Sequence, residues 1–233
     1  MTGFDGLTCI LPAYNEAPRI GAVLDCVTPH PRVDEVIVVD DGSTDGTAWI
    51  AEQAAAKAPK LRVLRQAQNG GKSRAVARGI AAARRSHVML LDTDLTGLTP
   101  RDLDALIGPV ALGRAGAALS LRGNAPWPWR ALGIDYISGE RVMPRALLAD
   151  RLDALAALPG FGLEVFMNDL WLDAGWPIAV VPWPGVASPL KAAKAGGWRA
   201  GLGADAAMMR DIFRTVPVPA TLRQIATMRA RRV

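Results

Sequence analysis

Four short apolar runs, three of them followed by stretches with helical character, fill the first 100 residues of this 233-residue chain. The runs are Leu7-Thr8-Cys9-Ile10-Leu11-Pro12, Glu35-Val36-Ile37-Val38-Val39-Asp40, Leu61-Arg62-Val63-Leu64 and Val88-Met89-Leu90-Leu91. Between the first two, Ile20, Val23, Leu24 and Val27 recur three and four apart, which marks one face of a helix. The turn cluster Asp41-Gly42-Ser43-Thr44-Asp45-Gly46 opens a second helix through about Ala58, and Gly70-Gly71 opens a third through about Arg85. Strands that are apolar on both faces need helices on both sides, so this alternation predicts an α/β domain with a mostly parallel, Rossmann-like sheet. In such a sheet ligands bind outside the carboxyl ends of the strands.

The second half is less regular. A helix is expected from Leu103 to Leu112, started near Thr99-Pro100 where proline suits the first turn. Ala117 to Leu121 reads as a strand, Asn124-Ala125-Pro126-Trp127-Pro128-Trp129 as a loop, and Ser138 to Ala149 and Leu163 to Ala174 as helices. A strand over Ile178 to Val181 is expected to end at Pro182, and Asp205 to Thr215 and Ala220 to Arg232 read as terminal helices. One domain over residues 1–190, with halves at 1–100 and 101–190, is therefore expected, followed by a basic, helical C-terminal extension over 191–233.

Charge divides at the same place. Residues 1–190 hold 18 Lys and Arg against 20 Asp and Glu, whereas 191–233 hold 9 against 2, so the formal net charge of +5 comes from the last segment. Such a tail suits anionic lipid, nucleic acid or an acidic partner, or is simply a solvated helix. A nucleic-acid binder is disfavoured, because acidic strand ends on a near-neutral body repel phosphate unless metal intervenes. Two cysteines, Cys9 and Cys26, cannot make a disulfide scaffold, and no basic n-region with an apolar segment opens the chain. A cytoplasmic protein is expected, peripheral at the inner face of the membrane if the tail docks there.

Polar and acidic side chains collect where the apolar strands stop. Asn15 and Glu16 follow the first, Asp40 and Asp41 close the second, Asp92-Thr93-Asp94 follows the fourth, and Lys72 follows the double glycine. Two carboxylates one residue apart, on a turn leaving a strand, can approach a hard divalent cation that keeps its other positions for water and phosphate oxygens. An Asx-turn with a helix cap is the alternative for the same triplet.

In order and spacing, Ile10-Leu11-Pro12-Ala13-Tyr14-Asn15-Glu16, Val38-Val39-Asp40-Asp41-Gly42-Ser43-Thr44-Asp45-Gly46-Thr47, Asn69-Gly70-Gly71-Lys72 and Leu90-Leu91-Asp92-Thr93-Asp94-Leu95 form a recognisable set. Together they resemble the nucleotide-sugar-binding half of family 2 glycosyltransferases with the GT-A fold, over about residues 5–100. The resemblance continues at Ile137-Ser138-Gly139-Glu140-Arg141 and Gly160-Phe161-Gly162-Leu163-Glu164. These are similar to acceptor-side elements of the polyprenyl-phosphate glycosyltransferases and the glucosyl-3-phosphoglycerate synthase-like enzymes.

The resemblance implies a metal-dependent transfer of one sugar from a nucleoside diphosphate sugar to a small or polyprenyl-phosphate acceptor, with Mn2+ or Mg2+ as the cation. Pro12, Ala13, Tyr14 and Glu16 would line the nucleoside pocket, and Asp41 would accept hydrogen bonds from the base with Asp40 close behind it. Lys72 would approach the base or diphosphate, Asp92 the ribose, and Asp92 and Asp94 the metal. Glu164, placed at a helix start by the Gly160-Phe161-Gly162 turn and open to the site, is the first candidate for a catalytic base. Asp169 is the second; it lies about 140° further round the helix, so the two do not share a face. Arg122, Arg141 and Arg145 are the candidates for holding an anionic acceptor, with Arg130 available nearby, and Arg141 and Arg145 four apart would share one helical face. Trp127 and Trp129 would stack on a sugar or dip into lipid, or else pack the base of their loop.

The chain departs from the family pattern in its metal set. Enzymes of this type often bring a late histidine to the metal, but only His30 and His87 occur, both before Asp92, and Ser188 stands where that histidine is expected. A Gln-x-x-Arg-Trp motif and membrane helices, which mark the processive polysaccharide synthases, are absent from the sequence. Two other readings compete. A sugar-phosphate nucleotidyltransferase would carry a Gly-rich basic loop after the first strand, which Pro12 to Glu16 is not. A non-catalytic nucleotide-binding protein would use the basic tail to hold an acidic partner.

Overall fold

A computed structural model describes residues 3–188 and 218–233. The elements are β1 (Leu7–Ala13), α1 (Ile20–Val27), β2 (Glu35–Asp40), α2 (Thr47–Ala55), β3 (Leu61–Arg65), α3 (Lys72–Ala82), β4 (His87–Leu90) and α4 (Pro100–Ala111). They continue as β5 (Ala117–Arg122), α5 (Trp127–Leu132), β6 (Arg141–Pro144), α6 (Ala146–Ala149), α7 (Leu152–Ala156), α8 (Gly162–Asp173), β7 (Ile178–Trp183) and α9 (Val218–Ala230). The strands form one seven-stranded sheet in the order β3-β2-β1-β4-β6-β5-β7. Neighbours run parallel except around β6, which is antiparallel to both β4 and β5.

Alternation along the strands divides the core into two layers. Cys9, Leu11, Val36, Val38 and Met89 face α1 and α4, where Val23, Leu24, Leu103 and Leu106 are buried. Ile10, Ile37, Val39, Val88 and Leu90 face α3, α8 and α9, where Val76, Ile80, Met167, Trp171 and Met228 are buried. Helix α3 lies so close to β1 that a Cβ at Gly79 would overlap the Ile10 side chain. Thr99 starts α4 with a capping box, its hydroxyl accepting from the Asp102 N–H while the Asp102 carboxylate takes the Thr99 N–H.

Three expectations are corrected. The helix foreseen over Ser138 to Ala149 is largely the strand β6, which fills the gap between β4 and β5, followed by the single turn α6. Pairing on both edges outweighs the local spacing that suggested a helix. Asn124 to Trp129 is not all loop, because α5 begins at Trp127 with Pro126 at its N-cap and Pro128 in the first turn, where a missing N–H costs nothing. Strand β7 runs through Pro182 to Trp183, as an edge strand permits.

The expected helix over Asp205 to Thr215 lies outside the described residues, as do Lys191, Lys194, Arg199, Arg210 and Arg214 of the basic tail. Within the described part, α9 buries Ile225 and Met228 in the same core as α3 and α8, and the chain end pairs with β7 through Arg231 O, Ile178 and the Val233 N–H. Arg223 and Arg229 are exposed on α9. Among the described residues no helix is long and apolar enough to cross a membrane.

Candidate functional site

The strand order changes direction beside β1: the chain proceeds outward to β2 and β3, then returns to place β4 on the other side of β1. The crevice outside the carboxyl ends of β1 and β4 is where such a sheet binds ligands. The turns after β1, β2, β4 and β5 and the turn before β6 all meet there. Asn15 adopts a φ of 55°. It ties the first two turns together, accepting from the Thr44 N–H at 2.9 Å while its own N–H donates to Ser43 Oγ at 3.0 Å. Asp45 accepts from the Thr47 and Ala17 N–H groups, which joins the start of α2 to the approach of α1.

Asp41 builds the next part. Its Oδ1 accepts from Gln66 Nε2 at 2.6 Å and the Gly70 N–H at 2.8 Å, and its Oδ2 accepts from the Gly71 N–H at 2.8 Å. The carboxylate that the family resemblance assigns to the base is thus occupied with the loop that leads into α3. Gly71 carries a φ of 89°, open to glycine at little cost, and turns the chain so that Lys72 becomes the first residue of α3. Lys72 Nζ then lies 2.8 Å from Asp92 Oδ1 and 3.1 Å from Glu164 Oε1.

That bridge controls the charges around it. Burial alone would lower the Lys72 pKa, but Asp92 and Glu164 together hold it well above the ordinary lysine value. Burial alone would raise Asp92, and Lys72 brings it below the usual carboxylate range. Gly139 packs against the other side of Asp92, so that a Cβ there would lie 2.5 Å from Oδ2 and 2.7 Å from Oδ1. Glu164 sits in the first turn of α8 as expected, but it is buried rather than open; its Oε2 has no hydrogen-bond partner among the described residues.

Asp94, two residues beyond Asp92, is held differently. Its Oδ2 accepts from Ser188 Oγ at 2.8 Å, while its Oδ1 is buried and has no hydrogen-bond partner among the described residues. Burial, and then the charge of Asp92, push its pKa up. Arg122, at the carboxyl end of β5, acts electrostatically on both Asp92 and Asp94 and is anchored from behind by Asp135 at 3.5 Å and Glu140 at 3.6 Å. Glu140 Oε2 accepts from Ser120 Oγ at 2.6 Å and Ser138 Oγ at 3.0 Å. Burial pushes the Asp135 pKa up to about 6. This buried layer of Ser120, Asp135, Ser138 and Glu140 was missing from the sequence reading, although the polar residues of Ser138-Gly139-Glu140-Arg141 beside an apolar strand were its visible sign.

Several predicted site residues stand elsewhere. Arg141 is fully buried and donates to the carbonyls of Ser138, Glu164 and Tyr136 and to Asn168 Oδ1. It braces the site from inside the core and presents nothing to an acceptor, which corrects its assignment. Arg145 follows β6, next to Ser86 at the amino end of β4, so the shared helical face with Arg141 does not exist. An extended strand advances about 3.3 Å per residue, and four residues carry Arg145 to the opposite end of the sheet. Asp169 is corrected likewise, since it points to α9 and accepts from Gln224 Nε2. Asp40 is buried, with Arg65 at 4.0 Å. Tyr14 is 45% exposed at the rim, Pro12 and Ala13 close the end of β1, and Glu16 pairs with Arg19 at 2.7 Å. Trp127 is exposed and Trp129 buried, so only the first is free to touch a ligand.

Among the described residues, no group of three His, Cys, Asp or Glu side chains gathers as a ready-made metal cage. Asp94 nevertheless fits a hard cation, because one buried carboxylate oxygen is free and a second carboxylate lies two residues away.

The sequence pattern of glycosyl transferase family 2 matches residues 8–140. A glucosyl-3-phosphoglycerate synthase of Mycolicibacterium paratuberculosis is 36% identical over 111 residues, covering 46% of this chain and 34% of its own. A dolichyl-phosphate beta-glucosyltransferase of Trichomonas vaginalis is 38% identical over 96 residues, covering 37% of this chain and 28% of its own. The match thus spans about a third of these curated relatives. The crystal structure of glucosyl-3-phosphoglycerate synthase from Mycobacterium tuberculosis with Mn2+ and uridine-diphosphate-glucose superposes with a TM-score of 0.67 at 28% identity, covering 95% of this chain and 79% of that one. The same enzyme with Mg2+ and uridine-diphosphate superposes with a TM-score of 0.65 at 26% identity, covering 88% of this chain and 79% of that one.

Proposed function

The chain belongs to glycosyl transferase family 2, and on that premise we propose that it moves one sugar from a uridine diphosphate sugar to a phosphate-bearing acceptor, supported by Mn2+ or Mg2+. The observation that carries this reading is Lys72, held between Asp92 and Glu164 at the mouth of the sheet, with the free oxygen of Asp94 in the same turn as Asp92. The donor is suggested by the uridine diphosphate and metal complexes of the structural neighbours. The acceptor class is suggested by relatives named for phosphoglycerate and dolichyl phosphate.

In the transfer, the acceptor oxygen forms a bond to the anomeric carbon as the bond from that carbon to the diphosphate oxygen breaks. The nucleoside diphosphate leaves with the electron pair. Asp94, with Asp92 beside it, would hold a divalent cation, and such a cation would supply positive charge against the departing diphosphate. Lys72 offers a point charge on a flexible stem to the same phosphates, and moving toward them frees Glu164 Oε1. Glu164 then takes the proton of a hydroxyl acceptor; a phosphate acceptor that is already ionised needs no base. Arg122 supplies a second positive charge that its two buried carboxylates keep in place.

A thermal-shift screen of nucleoside diphosphates and their sugars, with and without Mn2+, tests the donor and the cation together. Stabilisation by uridine diphosphate that requires metal is expected. If no nucleoside diphosphate stabilises the protein under either condition, the reading is rejected. For a polyprenyl-phosphate acceptor, the exposed Arg223 and Arg229 belong to a basic region that would meet anionic lipid. Changing both to Glu in the full chain should then reduce salt-sensitive binding to anionic vesicles, and unchanged binding would exclude that contact.

A further inference from the structure

We propose that Ser188 determines which cation the site prefers, by completing an all-oxygen donor set with Asp94. The inference rests on the reading of Asp94 as the residue that holds the metal and deepens it. A serine hydroxyl has one proton and two lone pairs. With the hydroxyl donating to Asp94 Oδ2 at 2.8 Å, both lone pairs of Oγ stay unused among the described residues, next to a carboxylate whose other oxygen is buried and has no partner among them.

The position of Ser188 is built from several directions. Asn124, in the loop after β5, donates from Nδ2 to Ser188 O at 2.6 Å and accepts at Oδ1 from the Ser188 N–H at 3.3 Å. One residue earlier, Ala187 and Thr96 exchange backbone hydrogen bonds of 2.8 and 3.0 Å, and Thr96 Oγ1 adds a third bond to Ala187 O at 3.1 Å. The segment after β7 is therefore fastened to the segment after β4 two residues from Asp94. Gly97 and Gly185 are in backbone contact at the same crossing, and a Cβ on Gly97 would overlap Gly185 O. The hydroxyl is aimed by this clamp.

Neither of the chain's two histidines bonds to Asp94 or Ser188: His87 pairs with Leu7 at the amino end of β4, and His30 lies against Pro100 O and Asp104. Carboxylate, hydroxyl and phosphate oxygens suit Mg2+ and Mn2+, whereas an imidazole in the set raises affinity for later divalent metals such as Co2+. At this site a hydroxyl in place of an imidazole therefore favours the harder ions.

The experiment measures cation binding itself, by Mn2+ electron paramagnetic resonance on the full-length protein saturated with uridine diphosphate, with Mg2+ and Co2+ as competitors. Ser188→Ala should weaken Mn2+ and Mg2+ by about tenfold, the low end for losing one supporting group at a metal site, and Ser188→Thr should restore both. Ser188→His should raise Co2+ affinity relative to Mg2+ by at least about tenfold and shift the visible absorption of bound Co2+. If Asp94→Asn abolishes binding while the Ala and His variants match the wild type, the role of Ser188 is overturned and that of Asp94 stands. Loss in Ser188→Ala that Thr does not restore also overturns it. If Asp94→Asn leaves binding unchanged, this inference and the metal reading fall together.

Discussion

At the amino end of the parallel strands, Glu35 accepts from the Arg62 guanidinium at 2.6 Å, Thr8 Oγ1 at 2.7 Å and the Arg84 N–H at 2.9 Å. At the carboxyl end, Asp94 and Glu164 each keep a buried oxygen with no hydrogen-bond partner among the described residues. Both ends gather charge on the same scaffold, but the Glu35 carboxylate has both oxygens hydrogen-bonded and the carboxylates of Asp94 and Glu164 do not. Burial would raise Glu35, and its hydrogen bonds bring its pKa below the ordinary value, whereas burial and the charge of Asp92 raise Asp94. A carboxylate with a lowered pKa strengthens the fold, and one with a raised pKa is kept against it. The difference separates charges that hold the domain together from charges left free for a ligand. The groove at the amino end, about 340 Å³, is lined by charged residues that include Asp34, Lys60, Arg62, Arg84 and Arg85. Asp34 there accepts from the Leu7 N–H, and Lys60 donates to the carbonyls of His30 and Val33.

Substitutions at the two ends should therefore have opposite signatures. The largest effect is expected from Glu164→Gln, which should lower transfer to a hydroxyl acceptor by at least about 10²-fold with the fold intact. Initial rates with labelled donor, beside a melting curve, check both halves of that statement. Next, Glu35→Gln should cost about 1.5 kcal/mol of stability in urea unfolding, because it removes the charge from hydrogen bonds to a half-buried guanidinium, and leave turnover per folded molecule unchanged. The carboxyl-end counterpart Asp94→Asn should lose metal-dependent turnover and cost no stability; if it destabilises as much as Glu35→Gln, the distinction between the two ends fails.

Acid sharpens the same contrast. The Glu35 contribution is present above the unfolded value of about 4.3 and is lost as pH falls through its lower folded value. Asp94 works in the other direction, its penalty growing as pH rises from about 3.9 through its raised folded value. Stability measured down to pH 3 should fall in the wild type and fall less in Glu35→Gln. Gly139→Ala comes next, since the new methyl group must displace Asp92. It should raise the donor KM by about tenfold, because small misplacements of a binding group are expensive at an active site. The smallest effect concerns Asp135, pushed up to about 6 by burial. Asp135→Asn should stabilise the protein by on the order of 1 kcal/mol at pH 7.5 and by almost nothing at pH 3, where the carboxyl is protonated in both the folded and the unfolded chain. An equal effect at both values would show that the side chain matters through packing.

The legibility of the sequence followed the same geography. Strands β1 to β4 and helices α1 to α3 were readable because each unit is contiguous and its apolar period is local. Strand β6 was not, since nothing within Arg141 to Pro144 says that β4 and β5 leave a gap for it, and Arg141 looked like a surface cation until the carbonyls around it were in place. Asp169 and Arg145 looked available for the same reason. The buried layer under Arg122 joins residue 120 of β5 to residues 135, 138 and 140 of the turn before β6, and no linear spacing predicts that meeting.

From its residues alone the chain determines the alternation of strand and helix, the mostly parallel sheet and the end at which its chemistry collects, because hydrophobic period and turn composition act over a few neighbours. Only the tertiary structure decides which of those polar residues are free. Lys72, Asp92 and Glu164 are 20 and 72 residues apart in sequence and meet only once the sheet is assembled. Whether a carboxylate oxygen has a partner, as at Glu35, or waits for one, as at Asp94, depends on atoms brought from other strands.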